Sequence, residues 1–233
     1  MRALSSSAII LGFLSQVATG QGMHPDFSGV YMPQVFVGSP TLIVPDVYPL
    51  TPAGQEVVDS YSQFDEERQD NDCVPESMPG VLWLGAAMEL TVSDGIPVFH
   101  YERGDSVRAV DMNGEAPAAH PASRLGYSSG SWDGDTLVIE TTHLTGGTLI
   151  NNRATPKSSE ATLTERYWRD AGSNDLSLEV RVDDPVYYTE PFTMSRTLVF
   201  SPDDALQEWV CVNLGSRDEA PDIDELTRML EEL

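Results

Sequence analysis

Ionisable side chains recur on stretches of this chain whose neighbours are apolar. His100 follows Val98 on one face of a β-rich run, with Phe99, Tyr101 and Arg103 on the other; Arg108 alternates with Val110 and Met112. Glu140 follows Thr136 and Val138, Glu165 and Tyr167 share a face with Leu163, and Arg196 stands among Phe192, Met194, Leu198 and Phe200. An imidazole or carboxylate exchanges a proton near neutrality, and a guanidinium holds a developing oxyanion. The leading reading is a binding protein for a small, mostly apolar ligand carrying an anionic or polar group. The alternative is a cofactor-independent lyase, isomerase or cyclase with His100 and Glu140 as proton carriers and Arg196 on the oxyanion. In both, Tyr101, Arg108, Trp132, His143, Glu165, Tyr167 and Tyr187 contact the ligand. A plainer possibility is an ion pair across the sheet, because an inward Arg196 needs an inward carboxylate such as Glu140 or Glu165. A third function, an envelope structural or assembly protein, would work through an exposed strand or a C-terminal helix.

The chain carries no HExxH, GxSxG, P-loop, dinucleotide-binding or CxxC pattern and no EF-hand spacing. No cofactor is expected. The acidic residues Asp70, Asp72, Asp133 and Asp135 read first as a solvated connection and a hairpin turn, so no metal is assigned.

The elements that would position these side chains are strands. Alternation and turn dipeptides mark runs over 88–92, 97–103, 106–112, 126–132, 136–142, 162–169, 176–183, 192–200 and 206–212. Asp94-Gly95, Gly104-Asp105, Asn113-Gly114 and Asp133-Gly134 fit tight hairpins, which makes consecutive strands antiparallel neighbours. Such a meander hides its edges best by closing into a barrel. The expected fold is thus mainly β, an antiparallel meander closing into a barrel over 81–216, with 21–80 as an extended arm and short helix packed on it. That helix starts at Thr51-Pro52 and runs to about Tyr61 or Phe64. Apolar residues at 223, 226, 229, 230 and 233 give a short acidic amphipathic helix over 217–233.

Residues 1–20 have the order of a secretory signal: Arg2, an apolar stretch from Ala8 to Leu14, then small residues at Ala18 and Gly20. A periplasmic or secreted location follows, without a membrane span. The 13 Lys and Arg stand against 37 Asp and Glu, a net charge of −24, which repels nucleic acid and anionic lipid. In an oxidising compartment Cys73 and Cys211 are expected to form a disulfide tying the segment before the sheet to its last strand. A homodimer stays open.

The string Trp132-Asp133-Gly134-Asp135-Thr136-Leu137-Val138-Ile139-Glu140-Thr141 is accompanied by five others: Asp26 to Val30, Pro49 to Gln55, Cys73 to Pro79, Thr164 to Tyr167 and Val182 to Pro185. Together they resemble a widespread family of exported bacterial proteins of unsettled function. The resemblance spans nearly the whole chain after residue 20 and implies one domain, with a lipocalin-like barrel by analogy and no catalytic assignment. The chain departs from it at Thr142-His143-Leu144, where relatives carry a small residue and an aromatic, so a role for His143 would be particular to this protein and its near kin.

Overall fold

The computed structural model describes residues 24–33, 42–61, 75–83, 85–114, 117–150, 154–211 and 228. Its strands are β1 (Gly29–Pro33), β2 (Leu42–Ile43), β3 (Met88–Ser93), β4 (Ile96–Tyr101), β5 (Ser106–Ala109), β6 (Tyr127–Asp133), β7 (Thr136–Thr142), β8 (Gly147–Thr148), β9 (Pro156–Lys157), β10 (Thr162–Trp168), β11 (Leu176–Asp183) and β12 (Phe192–Phe200). The main sheet runs β5-β4-β3-β1-β12-β11-β10-β7-β6, with β2 beside β12 and β8-β9 forming a separate pair. Every pairing along this path is antiparallel. A ring with an odd number of strands cannot be antiparallel at every step, and this path has nine. Accordingly β5 and β6 meet only through a parallel bridge: Asp111 N donates to Ser128 O, and Gly130 N donates to Asp111 O. The result is an antiparallel barrel, nearly closed, with one unsealed seam, consistent at this coarse level with a lipocalin-like fold.

Local chemistry explains the hairpins. Ser93 pairs with Ile96, and both intervening residues have positive φ, Asp94 at 52° and Gly95 at 79°, which is the geometry that matches strand twist across a two-residue turn. Alternation sorts the faces as expected on β11, where Leu176, Leu178, Val180 and Val182 are buried. The same period points Phe192, Met194, Arg196 and Leu198 of β12 inward. The one α-helix away from the termini among the described residues, α1 (Pro52–Ser60), starts at Thr51, whose Oγ1 accepts from Gly54 N at 3.1 Å and donates to Val186 O at 2.8 Å.

Three expectations change. The 21–80 segment is more than an arm: β1 inserts between β3 and β12 and completes the ring, while β2 continues along β12 opposite Ser195 and Arg196. The strand expected over 206–212 does not form over its described residues, 206–211, which are irregular, because the edge of β12 it would need is taken by β1 and β2. The disulfide expectation is corrected with it. No cysteine pair is present among the described residues: Cys211 is not a free thiol, Cys73 lies outside them, and Cys211 stands in irregular chain rather than on a last strand. The helix expected over 217–233 lies outside the described residues, apart from helical Arg228.

Candidate functional site

The barrel interior is packed, and its polar content is concentrated in one network. Arg108 on β5 donates from Nη1 and Nη2 to the two carboxylate oxygens of Glu165 on β10, at 2.7 and 2.8 Å. Glu165 also accepts from Tyr167 Oη at 2.8 Å and Thr141 Oγ1 at 3.2 Å, while Ser128 Oγ lies 3.0 Å from Thr141 Oγ1. Arg108 lies 4.7 Å from the Phe99 ring centroid and 5.9 Å from that of Tyr101. Arg108 is 3% exposed and Glu165 fully buried. Such a pair holds only because two-pronged geometry and added hydrogen bonds offset the desolvation of both charges. Burial works against the Arg108 cation, but Glu165 and the neighbouring tyrosines outweigh it and hold its pKa well above the ordinary value. Burial pushes the Tyr101 and Tyr167 hydroxyls up, so both keep their protons.

A short segment closes the barrel above this network. Pro75 to Ser77, the Met78-Pro79 turn and a 3-10 turn, Gly80–Trp83, plug the mouth with Met78, Val81, Leu82 and Trp83 buried. Met78 sits at the centre: its Sδ receives Arg108 Nη1 at 3.7 Å, and its carbonyl receives Lys157 Nζ at 2.6 Å. Lys157, on β9, also donates to Ser77 Oγ at 2.9 Å. Lys157 is 1% exposed, and burial lowers its pKa to about 8 against the weaker pull of Asp184. Arg196 donates to Leu82 O, and burial lowers its pKa to about 10. Beside the plug is a pocket with about 10 Å³ of water-accessible space, lined by Val81, Leu82, Met88, Tyr101, Arg196 and Leu198 among others. That is room for a single water. Three buried donors at this level, Tyr101 Oη, Arg108 Nε and Trp83 Nε1, have no hydrogen-bond partner of good geometry among the described residues.

The sequence-derived constellation His100, Glu140 and Arg196 is not brought together. His100 stands on the outer face of β4, where Nε2 lies 2.7 Å from Asp105 Oδ1; Glu140 is exposed on the outer face of β7, and Arg196 points inward. The carboxylate expected to partner Arg196 serves Arg108 instead. Of the other residues, Tyr101, Arg108, Glu165 and Tyr167 converge inside. Trp132 lies at the opposite end of the barrel, its ring stacked on His24 at 4.6 Å and 5.5 Å from Phe27. His143 follows β7 with φ 55°, bonded to Thr142 Oγ1 and edge-on to His120. Tyr187 belongs to the turn over α1, where its carbonyl accepts from Thr51 N. Lys157, Met78 and Thr141 were not singled out by the sequence reading, although Met78 and Thr141 fall in strings that carry the family resemblance.

No family model and no curated protein matches the chain. Among the described residues no group of three or more His, Cys, Asp or Glu is arranged to hold a metal ion, and no helix is long and apolar enough to cross a membrane.

Proposed function

We propose that this protein is a cofactor-independent acid–base enzyme of the isomerase or lyase type, acting on a small, mostly apolar molecule that carries a carbonyl or carboxylate. The supporting observation is that Arg108 and Lys157, the one fixed by Glu165 and the other held near neutrality by burial, both reach the same residue, Met78. A substrate oxygen in that place accepts from Tyr101 and Arg108, whose orphaned donors call for an acceptor. Neutral Lys157 takes a proton from the adjacent carbon as charge moves onto the oxygen, and returns it to a second carbon in an isomerisation. Glu165, Tyr167 and Thr141 position the guanidinium without touching substrate.

The test is solvent deuterium incorporation, read by NMR at pH 8, into a panel of small apolar ketones and carboxylic acids. Exchange is expected with wild type. Lys157→Met should reduce it about 10²-fold or more, and Tyr101→Phe by up to about 10²-fold. If wild type gives no exchange above buffer for any member, the acid–base reading fails.

A second reading, a binding protein without turnover, is favoured by the mostly apolar wall of the pocket beside Arg196. A small molecule retained in native mass spectra of protein from its source, unchanged on prolonged incubation, would select it. We keep two further proposals on sequence grounds: export, from the leader-like order of residues 1–20, and kinship with the exported bacterial family, from the strings around Trp132 and Thr164.

A further inference from the structure

The plug gathers basic side chains far beyond their share. Five of the chain's 13 basic residues bind within residues 75–82: Arg124 on Pro75 O, Arg103 on Glu76, Lys157 on Ser77 and Met78, Arg108 on Met78, and Arg196 on Leu82. In a chain of net charge −24 this concentrates cations at the mouth of the barrel, two of them paired with carboxylates, Arg103 with Glu76 and Arg108 with Glu165. The two groups of ties differ. Arg103 and Arg124 hold the plug from the rim, while Arg108, Lys157 and Arg196 are buried beneath it. Among the described residues, the plug's acceptors for these three are a thioether, a hydroxyl and backbone carbonyls, each weaker for a cation than a carboxylate oxygen. Gly104 keeps the fit close: it has φ 76°, and a Cβ there would stand 2.3 Å from Pro75 Cβ.

We propose that residues 75–83 are an internal stand-in for the ligand, and that a small carboxylate competes with Met78 for Arg108 and Lys157. This rests on the acid–base reading of the same site, in which the neutral form of Lys157 is the base; it adds that the protonated form holds a carboxylate, and names the segment displaced. In the empty barrel Glu165 neutralises Arg108 while a plug hydroxyl and carbonyl serve Lys157; a carboxylate bridging Lys157 Nζ and Arg108 Nε serves them better, and its apolar remainder takes the volume of the Met78 and Leu82 side chains. Orphaned Tyr101 Oη and Arg108 Nε then gain an acceptor.

The experiment compares cinnamate with cinnamyl alcohol, matched in shape and differing in charge, by isothermal titration calorimetry. Two variants release the plug differently: Glu76→Ala with Arg124→Ala cuts rim ties, and Met78→Gly removes the central side chain. In at least one, cinnamate should bind at least about tenfold tighter than to wild type while the alcohol does not, and adding Lys157→Met should remove the gain. In wild type, saturating cinnamate should speed hydrogen exchange at the Val81 and Leu82 amides, which bond within the plug. An equal gain for the alcohol, or no gain for cinnamate in either variant, overturns the competition. That failure is distinguishable from failure of the enzyme reading, because deuterium exchange by wild type would persist in the first case and be absent in the second.

Discussion

One hairpin, β4 to β5, carries two polar pairs on its opposite faces, and both are 2.7 Å long. On the inner face Arg108 meets Glu165 with side-chain exposures of 2% and 0%; on the outer face His100 meets Asp105 at 35% and 77%. Equal distance hides unequal consequence. The outer pair stands in high dielectric and is screened by salt, so either partner can be lost with little effect. The inner pair was paid for by desolvating two charges, and removing one strands the other in a medium that cannot solvate it.

The largest expected effect tests that inequality directly. Glu165→Ala should lower stability to urea by about 3–5 kcal/mol, and the paired replacement Arg108→Met with Glu165→Leu should recover most of the loss. If the double variant is as weak as the single, the cost lies in packing and the electrostatic account is wrong. Next is a pH effect. Burial lowers the folded pKa of Lys157 to about 8 from the ordinary lysine value of 10.5, so the unfolded chain binds more protons between those values. Its contribution to stability is therefore absent below pH 8 and grows as pH rises toward 10.5, by up to about 3 kcal/mol. Denaturation midpoints of wild type should rise across that window relative to those of Lys157→Met, and a parallel pair of curves would contradict it. Tyr167→Phe, which removes one donor from Glu165 but leaves Arg108 in place, should cost about 1–2 kcal/mol in the same assay. Smallest of all, the coupling between His100 and Asp105 in a double-mutant cycle should stay under about 1 kcal/mol and shrink in 1 M salt. A larger value would make the outer pair more than a surface contact.

The strands were legible wherever pairing is local. Asp94-Gly95 marks its own hairpin, and the alternation of β11 reads off Leu176 to Val182 without help. What stayed hidden was long-range. The five residues of β1 end at Pro33 in a Pro- and Gly-rich stretch and become a strand only because β3 and β12 leave a slot for them. Residues 206–212 alternate well enough but find that slot occupied. For the site, period two divides each strand into two faces without saying which is inner. On β4 the choice went to Phe99 and Tyr101, whose apolar area outweighs that of Val98 and His100, and the histidine was thereby turned to solvent. Arg108, Glu165 and Tyr167 were each visible as polar residues among apolar neighbours, but their meeting depends on strands far apart in the chain. Lys157 gave no signal, since β9 is two residues long and too short for alternation.

The position of β1 sets an order of events in folding. Tyr31 is paired with Phe200, so the first strand of the ring waits for the last, and no nascent portion of the chain can seal the barrel. Until residue 200 is free to pair, the open edges of β3 and β12 are exposed to whatever else is in solution. Joining ends so distant is slow, so the ring is among the last features of the fold to form.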